Sequence, residues 1–308
     1  MRPQTARAAI GKGNVSEMSD DAFVAHRSLL FTVAYEMLGS AVDAEDVVQE
    51  TWLRWARAEQ SAVRDPRAYL VQAVTRQALD RLRNLSRKRE TYVGEWLPEP
   101  LLTSPDVAED VELAESVSIA MLTVLETLAP AERAVFVLRE VFDVPYEEIA
   151  AALGKTQAST RQIAHRARAH VAARRPRMDV TSAEQQAVVE KFWAASRSAD
   201  LQALLDVLAP DVVFVADGGG LAPAVRRPVT GATRVATMLT RFAALAPDAK
   251  FASIWLNGAL GLRVEHNGQL DTTISISVEN GRITHIYAIR NPDKLGRLQE
   301  VTQIRRDY

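Results

Sequence analysis

The stretch VPYEEIAAALGKTQASTRQIAHRARAHVAARR, Val144 to Arg175, decides how the rest of the chain is read. Pro145 suits a first helical turn, Ile149, Ala150 and Leu153 form an apolar stripe, and Gly154 stands where a helix ends in a left-handed residue. A second helix is predicted to start two to four residues later. The small Ala150 lets that helix cross closely, while Thr160, Ile163, Ala164 and Ala167 face the core. Gln157, Ser159, Arg161, Gln162, His165, Arg166 and Arg168 are left for an exposed face, and these side chains can donate to base edges and phosphates in a major groove. From Gln157 to Met178 there are six Arg and two His, with no acid until Asp179. A helix pair with a merely solvated basic face is the plain alternative for this segment.

Toward the N-terminus, Ala22 to Leu85 repeats its apolar residues at helical spacing, with no Gly after Gly39 and a single Pro, Pro66, so three or four helices are expected. DAEDVVQETWLRWAR, Asp43 to Arg57, is read as one amphipathic helix whose Asp43, Glu45, Asp46, Gln49 and Glu50 are offset from apolar Val47, Val48, Trp52 and Leu53. RDPRAYLVQAVTRQALDRLRNLSRKRE, Arg64 to Glu90, joins Tyr69 to a basic stripe, a combination suited to single-stranded nucleic acid. Arg64 to Arg89 holds eight Lys and Arg against two Asp, whereas Glu95 to Glu115 holds seven acids and no base. Pro98, Pro100 and Pro105 disfavour a continuous helix there, which predicts a partly extended acidic linker. A second helical block then spans about Val111 to Ala173.

Beyond Pro176 a helical period over Ala183 to Leu208 gives way to short apolar runs at Val212 to Val215, Lys250 to Leu256, Leu260 to Glu265, Thr272 to Val278 and Ile283 to Ile289. Asn267-Gly268 and Asn280-Gly281 lie between such runs and supply the positive φ angles of tight hairpins. An α+β domain with antiparallel strands is expected over 180–308.

The whole chain has 308 residues, 47% hydrophobic and 25% charged, with net charge −2 and no Cys. That length suits two or three domains. The absence of Cys excludes disulfides, a thiol nucleophile and cysteine-ligated zinc. Neither a membrane span nor a secretory leader is read from the sequence, and the cytoplasm is the expected compartment. Residues 1–18 are expected to be disordered.

DAEDVVQETWLRWAR, RDPRAYLVQAVTRQALDRLR and the helix-turn-helix, in this order and separation, resemble regions 2 and 4 of the extracytoplasmic-function sigma factors. WLPEP at Trp96 to Pro100, DGGG at Asp217 to Gly220 and NPDKL at Asn291 to Leu295 further resemble the sigma factor J type, which carries a fused SnoaL-like C-terminal domain. The resemblance implies a region 2 helical bundle over 19–92, the linker over 93–112, a region 4 helix-turn-helix domain over 113–178 and a SnoaL-like cone with a curved antiparallel sheet over 180–308. It assigns Asp46, Gln49 and Glu50 to binding core RNA polymerase. It assigns Tyr69, Arg76, Arg81 and Arg83 to the minus-ten promoter element, and Gln157, Ser159, Arg161, Gln162, His165 and Arg168 to the minus-thirty-five element.

For regulation, Trp96 would be the large apolar anchor of WLPEP, which with Leu97 and Pro98 would dock on Asp217, Gly218, Gly219, Asn291, Pro292, Asp293 and Lys294. No catalytic residue, metal or cofactor is implied. The expected partners are core polymerase, promoter DNA and an unidentified small molecule in the C-terminal domain, with no membrane. DGGG continues with Leu221 where the type usually has Lys, which predicts a weaker contact to the linker. The second reading is a helix-turn-helix regulator with a ligand-sensing or enzymatic C-terminal domain, for which Asp217, Glu265, His266, Asp271 and His285 are the candidate polar groups. Read alone, the glycine run lacks the GKS/T ending of a phosphate loop.

Overall fold

The structure is a computed structural model that describes residues 13–174 and 182–306. Its first helices are α1 (Gly13–Leu38), α2 (Ala41–Arg57) and α3 (Pro66–Arg89). Helix α1 thus begins inside the segment expected to be disordered, and residues 1–12 lie outside the described residues, as do 175–181, where the boundary before the C-terminal domain was expected. Then come α4 (Val111–Val117), α5 (Ile119–Leu125) and α6 (Pro130–Phe136), the last continued by a π-helical turn over Val137–Val141. The helix-turn-helix is α7 (Tyr146–Leu153) and α8 (Gln157–Ala172). Gly154 ends α7 at φ 62° and ψ 39°, the left-handed stop read from the sequence, while Pro145 sits at the N-cap.

One hydrophobic core runs through both helical regions, from Leu30, Tyr35 and Leu38 through Leu70 and Val74 to Val135, Ile149 and Ala164. Helix α3 packs on α6 and α7. The two modules expected as separate domains are therefore fused by continuous apolar packing, and burial of this kind is the main favourable term in holding them together.

The C-terminal domain opens with α9 (Ser182–Ser198) and α10 (Leu201–Val207), followed by β1 (Leu208–Asp217), β2 (Val229–Thr230) and α11 (Ala232–Leu245). Strands β3 (Lys250–Leu256), β4 (Ala259–His266), β5 (Gln269–Glu279) and β6 (Arg282–Ile289) complete a six-stranded sheet of order β2-β1-β6-β5-β4-β3, and α12 (Pro292–Leu295) follows it. Both expected Asn-Gly turns close two-residue hairpins with positive φ at each residue. A third, Asn257-Gly258, joins β3 to β4 in the same way. All pairings are antiparallel except β1 with β6, which run parallel. Parallel neighbours need a long connection, here α11 and the β3 to β5 meander.

Both faces of this sheet are covered. Phe214, Leu262, Ile276 and Ile286 pack with α9, α10 and α11. On the other face Leu256, Tyr287 and Ile289 pack with Leu97, Ile119 and Ala120. Past α12 the chain returns to the helical half: Ile304 joins its core and the Arg305 amide donates to Thr32 Oγ1 at 3.1 Å.

Beneath this junction Glu36 is fully buried, and the Ser116 hydroxyl donates to its Oε1 at 2.8 Å. Burial pushes the carboxyl up to about 8, against the opposing pull of Ser116 and Arg133. Because this value is raised, the stabilisation it reports is complete below the ordinary carboxyl range and is lost as pH rises through about 8. Glu36→Gln, isosteric with the neutral acid, is expected to leave the melting temperature at pH 5 nearly unchanged. At pH 9, where the wild-type carboxyl is ionised, the variant should melt several degrees above the wild type. Parallel calorimetric scans at the two pH values check this, and equal melting temperatures at pH 9 would show that the carboxylate is well accommodated.

Candidate nucleic-acid and polymerase interface

Helix α8 is started by Thr156, whose hydroxyl accepts from the Ser159 amide at 3.2 Å. Thr160, Ile163, Ala164 and Ala167 are buried as expected, and Gln157, Arg161, Gln162, His165 and Arg168 are exposed, with Ser159 half-buried. Glu132 stands 3.7 Å from Arg166 and Glu140 stands 3.6 Å from Arg168. Exposed pairs of this length contribute little and can be exchanged for phosphate oxygens at small cost. The Arg161 guanidinium lies 5.6 Å from the centre of the Tyr146 ring, which orients it beside the turn.

On α2, Asp46, Gln49 and Glu50 are exposed. The expectation that Trp52 and Leu53 point inward is corrected: they are 41% and 46% exposed, and Trp55 takes the core position instead. The buried set Ala41, Ala44, Val47, Val48, Thr51 and Trp55 keeps strict helical spacing and leaves the other two off the stripe. Val42, Trp52 and Leu53 therefore lie among acids and amides on an outward face, the composition of a protein contact.

The four residues expected at the minus-ten element do not share one free surface. Tyr69 is half-buried with its ring 5.5 Å from that of Trp55. Arg76 donates to the carbonyls of Ala151 at 2.9 Å and Ala152 at 3.2 Å, at the C-terminal end of α7, where a cation suits the helix dipole. Arg81 pairs with Asp43 at 2.6 Å and Asp46 at 3.1 Å, so an expected DNA contact is bonded to an expected polymerase contact. Arg83 is exposed and pairs only with Asp80 among the ion pairs of the described residues, at 2.9 Å.

The linker enters a clamp built by both halves of the protein. Asp217, 0% exposed at the end of β1, accepts from the Leu97 amide at 2.9 Å, the Tyr92 hydroxyl at 2.6 Å, the Gly219 amide at 3.0 Å and Lys294 Nζ at 2.6 Å. Lys294 also donates to the Leu97 carbonyl. Burial brings its ammonium down to about 8, against the opposing pull of Asp217. Asn291 caps α12, accepting from the Asp293 amide at 3.0 Å, and donates to the Tyr92 hydroxyl at 2.8 Å. A Cβ on Gly219, φ 61°, would strike the Asn291 side chain, and one on Gly218 would strike the Ala222 carbonyl. Pro292 and Asp293 are exposed.

Trp96 is corrected as the anchor: it is only half-buried, between the Arg89 guanidinium 3.7 Å from its ring centre and Lys294 Nζ at 4.0 Å. Leu97 and Pro98 are the buried apolar residues. Leu221 is exposed, and the cation bonded to Asp217 is Lys294.

Two clamp residues went unread in the sequence. Buried Glu99 accepts from the amides of Ala41 at 2.7 Å and Val42 at 3.2 Å and from the Ser40 hydroxyl, so the linker caps the first turn of α2. Buried Asn257, at the β3–β4 turn, accepts from the Leu101 amide at 2.9 Å and donates to the Tyr35 hydroxyl at 2.7 Å and the Val117 carbonyl at 2.8 Å. The only sequence signal was the Asn-Gly dipeptide, which reports the turn and not its neighbours.

Of the five polar groups considered for an enzyme, Asp217 is used in the clamp, Glu265 pairs with Arg263 at 2.7 Å, and His285 stacks on Tyr287. His266 and Asp271 line a common cavity between the sheet and the helices. His266 is half-buried and closes β4 just ahead of the Asn267-Gly268 turn. Burial would raise the Asp271 carboxyl, but hydrogen bonds from Arg290 and Thr272 outweigh it and hold the group below its ordinary range, which makes it a poor proton donor. The Arg290 amide donates to the Asp217 carbonyl at 2.7 Å, so the cavity wall and the clamp meet at one residue.

Sigma-70 region 2 matches residues 22–88 and Sigma-70 region 4 matches residues 118–171. The ECF RNA polymerase sigma factor SigJ of Mycobacterium tuberculosis is 37% identical over 287 residues, 88% of this chain and 91% of that protein. The crystal structure of the extracytoplasmic function sigma factor SigJ from the same organism superposes with a TM-score of 0.72 at 35% identity, covering 91% of this chain and 98% of the other.

Proposed function

Because the chain belongs to the extracytoplasmic-function RNA polymerase sigma factors, directing polymerase to promoters, we propose that the compact form is its restrained state. Freeing α3 from α7 would make it competent. Asp46, Gln49 and Glu50, flanked by outward Trp52 and Leu53, form the face offered to core polymerase. Helix α8 reads the minus-thirty-five element through Gln157, Arg161, Gln162, His165 and Arg168, and Arg83 with released Arg76 and Arg81 follows the unpaired minus-ten strand. One observation carries the restraint: Arg76, from the minus-ten segment, is bonded to the last carbonyls of α7 in the minus-thirty-five module. Both DNA-binding parts cannot span a promoter while that contact holds. The C-terminal domain acts in cis by gripping the linker between them, and the cytoplasm is where such a factor meets its polymerase.

Single-round run-off transcription with purified core polymerase tests this on templates selected from a randomised promoter library. Arg161→Ala is expected to lower transcript yield about fivefold or more, since a specific contact to a base edge is worth about 1–3 kcal/mol, with no change in thermal melting. Sequence-specific binding of duplex by the isolated chain, unaffected by core polymerase, would instead support a helix-turn-helix regulator.

A further inference from the structure

Residues 301–306 follow α12 and lie against the helical half, where α1 of region 2 meets α4, the helix that leads into region 4. We propose that they form an autoinhibitory strap, which must lift off α1 and α4 before the two modules can part. The proposal rests on the restrained-state reading above and adds a second fastening that shares no residue with the clamp at Asp217.

The bonds of the strap trace its path. The Thr302 amide donates to the Leu102 carbonyl of the linker at 2.8 Å, and the Arg305 amide donates to Thr32 Oγ1 on α1. Arg306 pairs with Glu112 in the first turn of α4 and stands 3.8 Å from Asp110, the residue that caps that helix. Between these points Ile304 is buried, and among the described residues it is the one member of the helical core from beyond Val171. A single short segment is thus bonded to region 2 through Thr32 and to the start of the region 4 module through Glu112. Once α1 and α4 separate, it cannot keep both.

The chemistry of the strap suits a contact that opens and closes. Residues 301–306 form no helix or strand, and Val301, Gln303 and Arg305 are exposed; backbone of this kind opens at low cost. Glu112 is exposed as well, so its pair with Arg306 contributes little. The hold falls on Ile304, whose apolar contacts can be undone and remade without stranding a buried charge. The strap also reaches the DNA-reading module, because Arg306 lines one cleft with Arg139, Glu140 and Arg168 of α8.

Run-off transcription by full-length variants tests the strap on a template where Arg161→Ala lowers the yield. Ile304→Ala is expected to raise the yield several-fold, because it removes most of the apolar hold. The chain has no Cys, so Glu112→Cys with Arg306→Cys creates one thiol pair, at positions whose native side chains touch, and a short bismaleimide then ties the strap to α4. The double variant is expected to match or exceed the wild type before crosslinking. After crosslinking it should fall at least about tenfold below its uncrosslinked form, since almost no open population remains. This pair leaves Ile304 in place and decides the matter should Ile304→Ala not fold. Equal yields with and without the crosslink, or no rise in a folded Ile304→Ala protein, would overturn the strap. Asp217→Ala, run alongside, separates that failure from a failure of the restrained-state reading: a rise there with no response at the strap overturns the strap alone, and no response in any of the three variants overturns both.

Discussion

Asp217→Ala is expected to release the C-terminal domain from the linker while leaving the fold of both halves in place. The carboxylate is the common acceptor for the Leu97 amide, the Tyr92 hydroxyl, the Gly219 amide and the Lys294 ammonium. Removing it strands a buried cation, a loss of about 3–5 kcal/mol for breaking one side of such a pair. The reverse change, Lys294→Met, should be milder, because Asp217 keeps three donors and the methionine keeps the apolar stem packed between Tyr92 and Trp96. Combining the two is expected to recover part of the loss, since neither charge is then left alone. Small-angle scattering and limited proteolysis of the linker read the release, and circular dichroism confirms that secondary structure is kept. A compact, protease-resistant Asp217→Ala protein would show that apolar packing of Leu97 and Leu256 suffices. If the clamp restrains the promoter-binding parts, the same variant should also raise run-off transcription several-fold.

What could be read from the sequence follows the range of the forces involved. Helix α8 was legible face by face, because Gly154, Thr156 and the spacing of Ile163, Ala164 and Ala167 are local signals. The hairpins at Asn267 and Asn280 were legible for the same reason. WLPEP, DGGG and NPDKL were recognisable as strings, and the structure brings Leu97, Asp217 and Lys294 within hydrogen-bond distance. The roles inside those strings were less visible. Trp96 was favoured as the anchor by size alone, yet its ring lies between two cations while the smaller Leu97 is buried. Glu99 reads as one more acid in an acidic linker until the amides of Ala41 and Val42, nearly sixty residues away in sequence, are seen to end on it. Arg76 likewise reads as part of a basic stripe, and only the approach of α7 turns it into a helix cap. Trp52 and Leu53 were misplaced by hydrophobicity, and the strict spacing around Trp55 would have set them outside. The apolar residues on both faces of β6 did carry a long-range message, because a sheet covered only by its own helices has no need for Tyr287 and Ile289 opposite Ile286 and Ala288.

Gly258→Ala is expected to destabilise the assembly well beyond Gly268→Ala, although the two positions are the same residue of the same turn. Their φ angles are 74° and 75°, so each pays a similar strain of about 1 kcal/mol when a Cβ is added to a left-handed residue. Only the surroundings differ. At Gly268 the added Cβ meets nothing within 4 Å, whereas at Gly258 it lies 2.8 Å from Ala114 Cα, 2.9 Å from Ala114 Cβ and 3.2 Å from Val107 Cγ1. Backbone on α4 cannot turn aside as a flexible side chain would, so the hairpin must withdraw. Withdrawal drags Asn257 from the Leu101 amide, the Tyr35 hydroxyl and the Val117 carbonyl, all buried, and each group left unpaired costs about 1–3 kcal/mol. The excess of Gly258→Ala over Gly268→Ala in denaturant unfolding thus isolates the contact of the β3–β4 turn with the helical half, and at least 2 kcal/mol is expected. Equal losses would mean that the turn only rests against α4. Amide exchange distinguishes the cases independently, because withdrawal should expose the Leu101 and Asn257 amides in Gly258→Ala and leave them protected in Gly268→Ala.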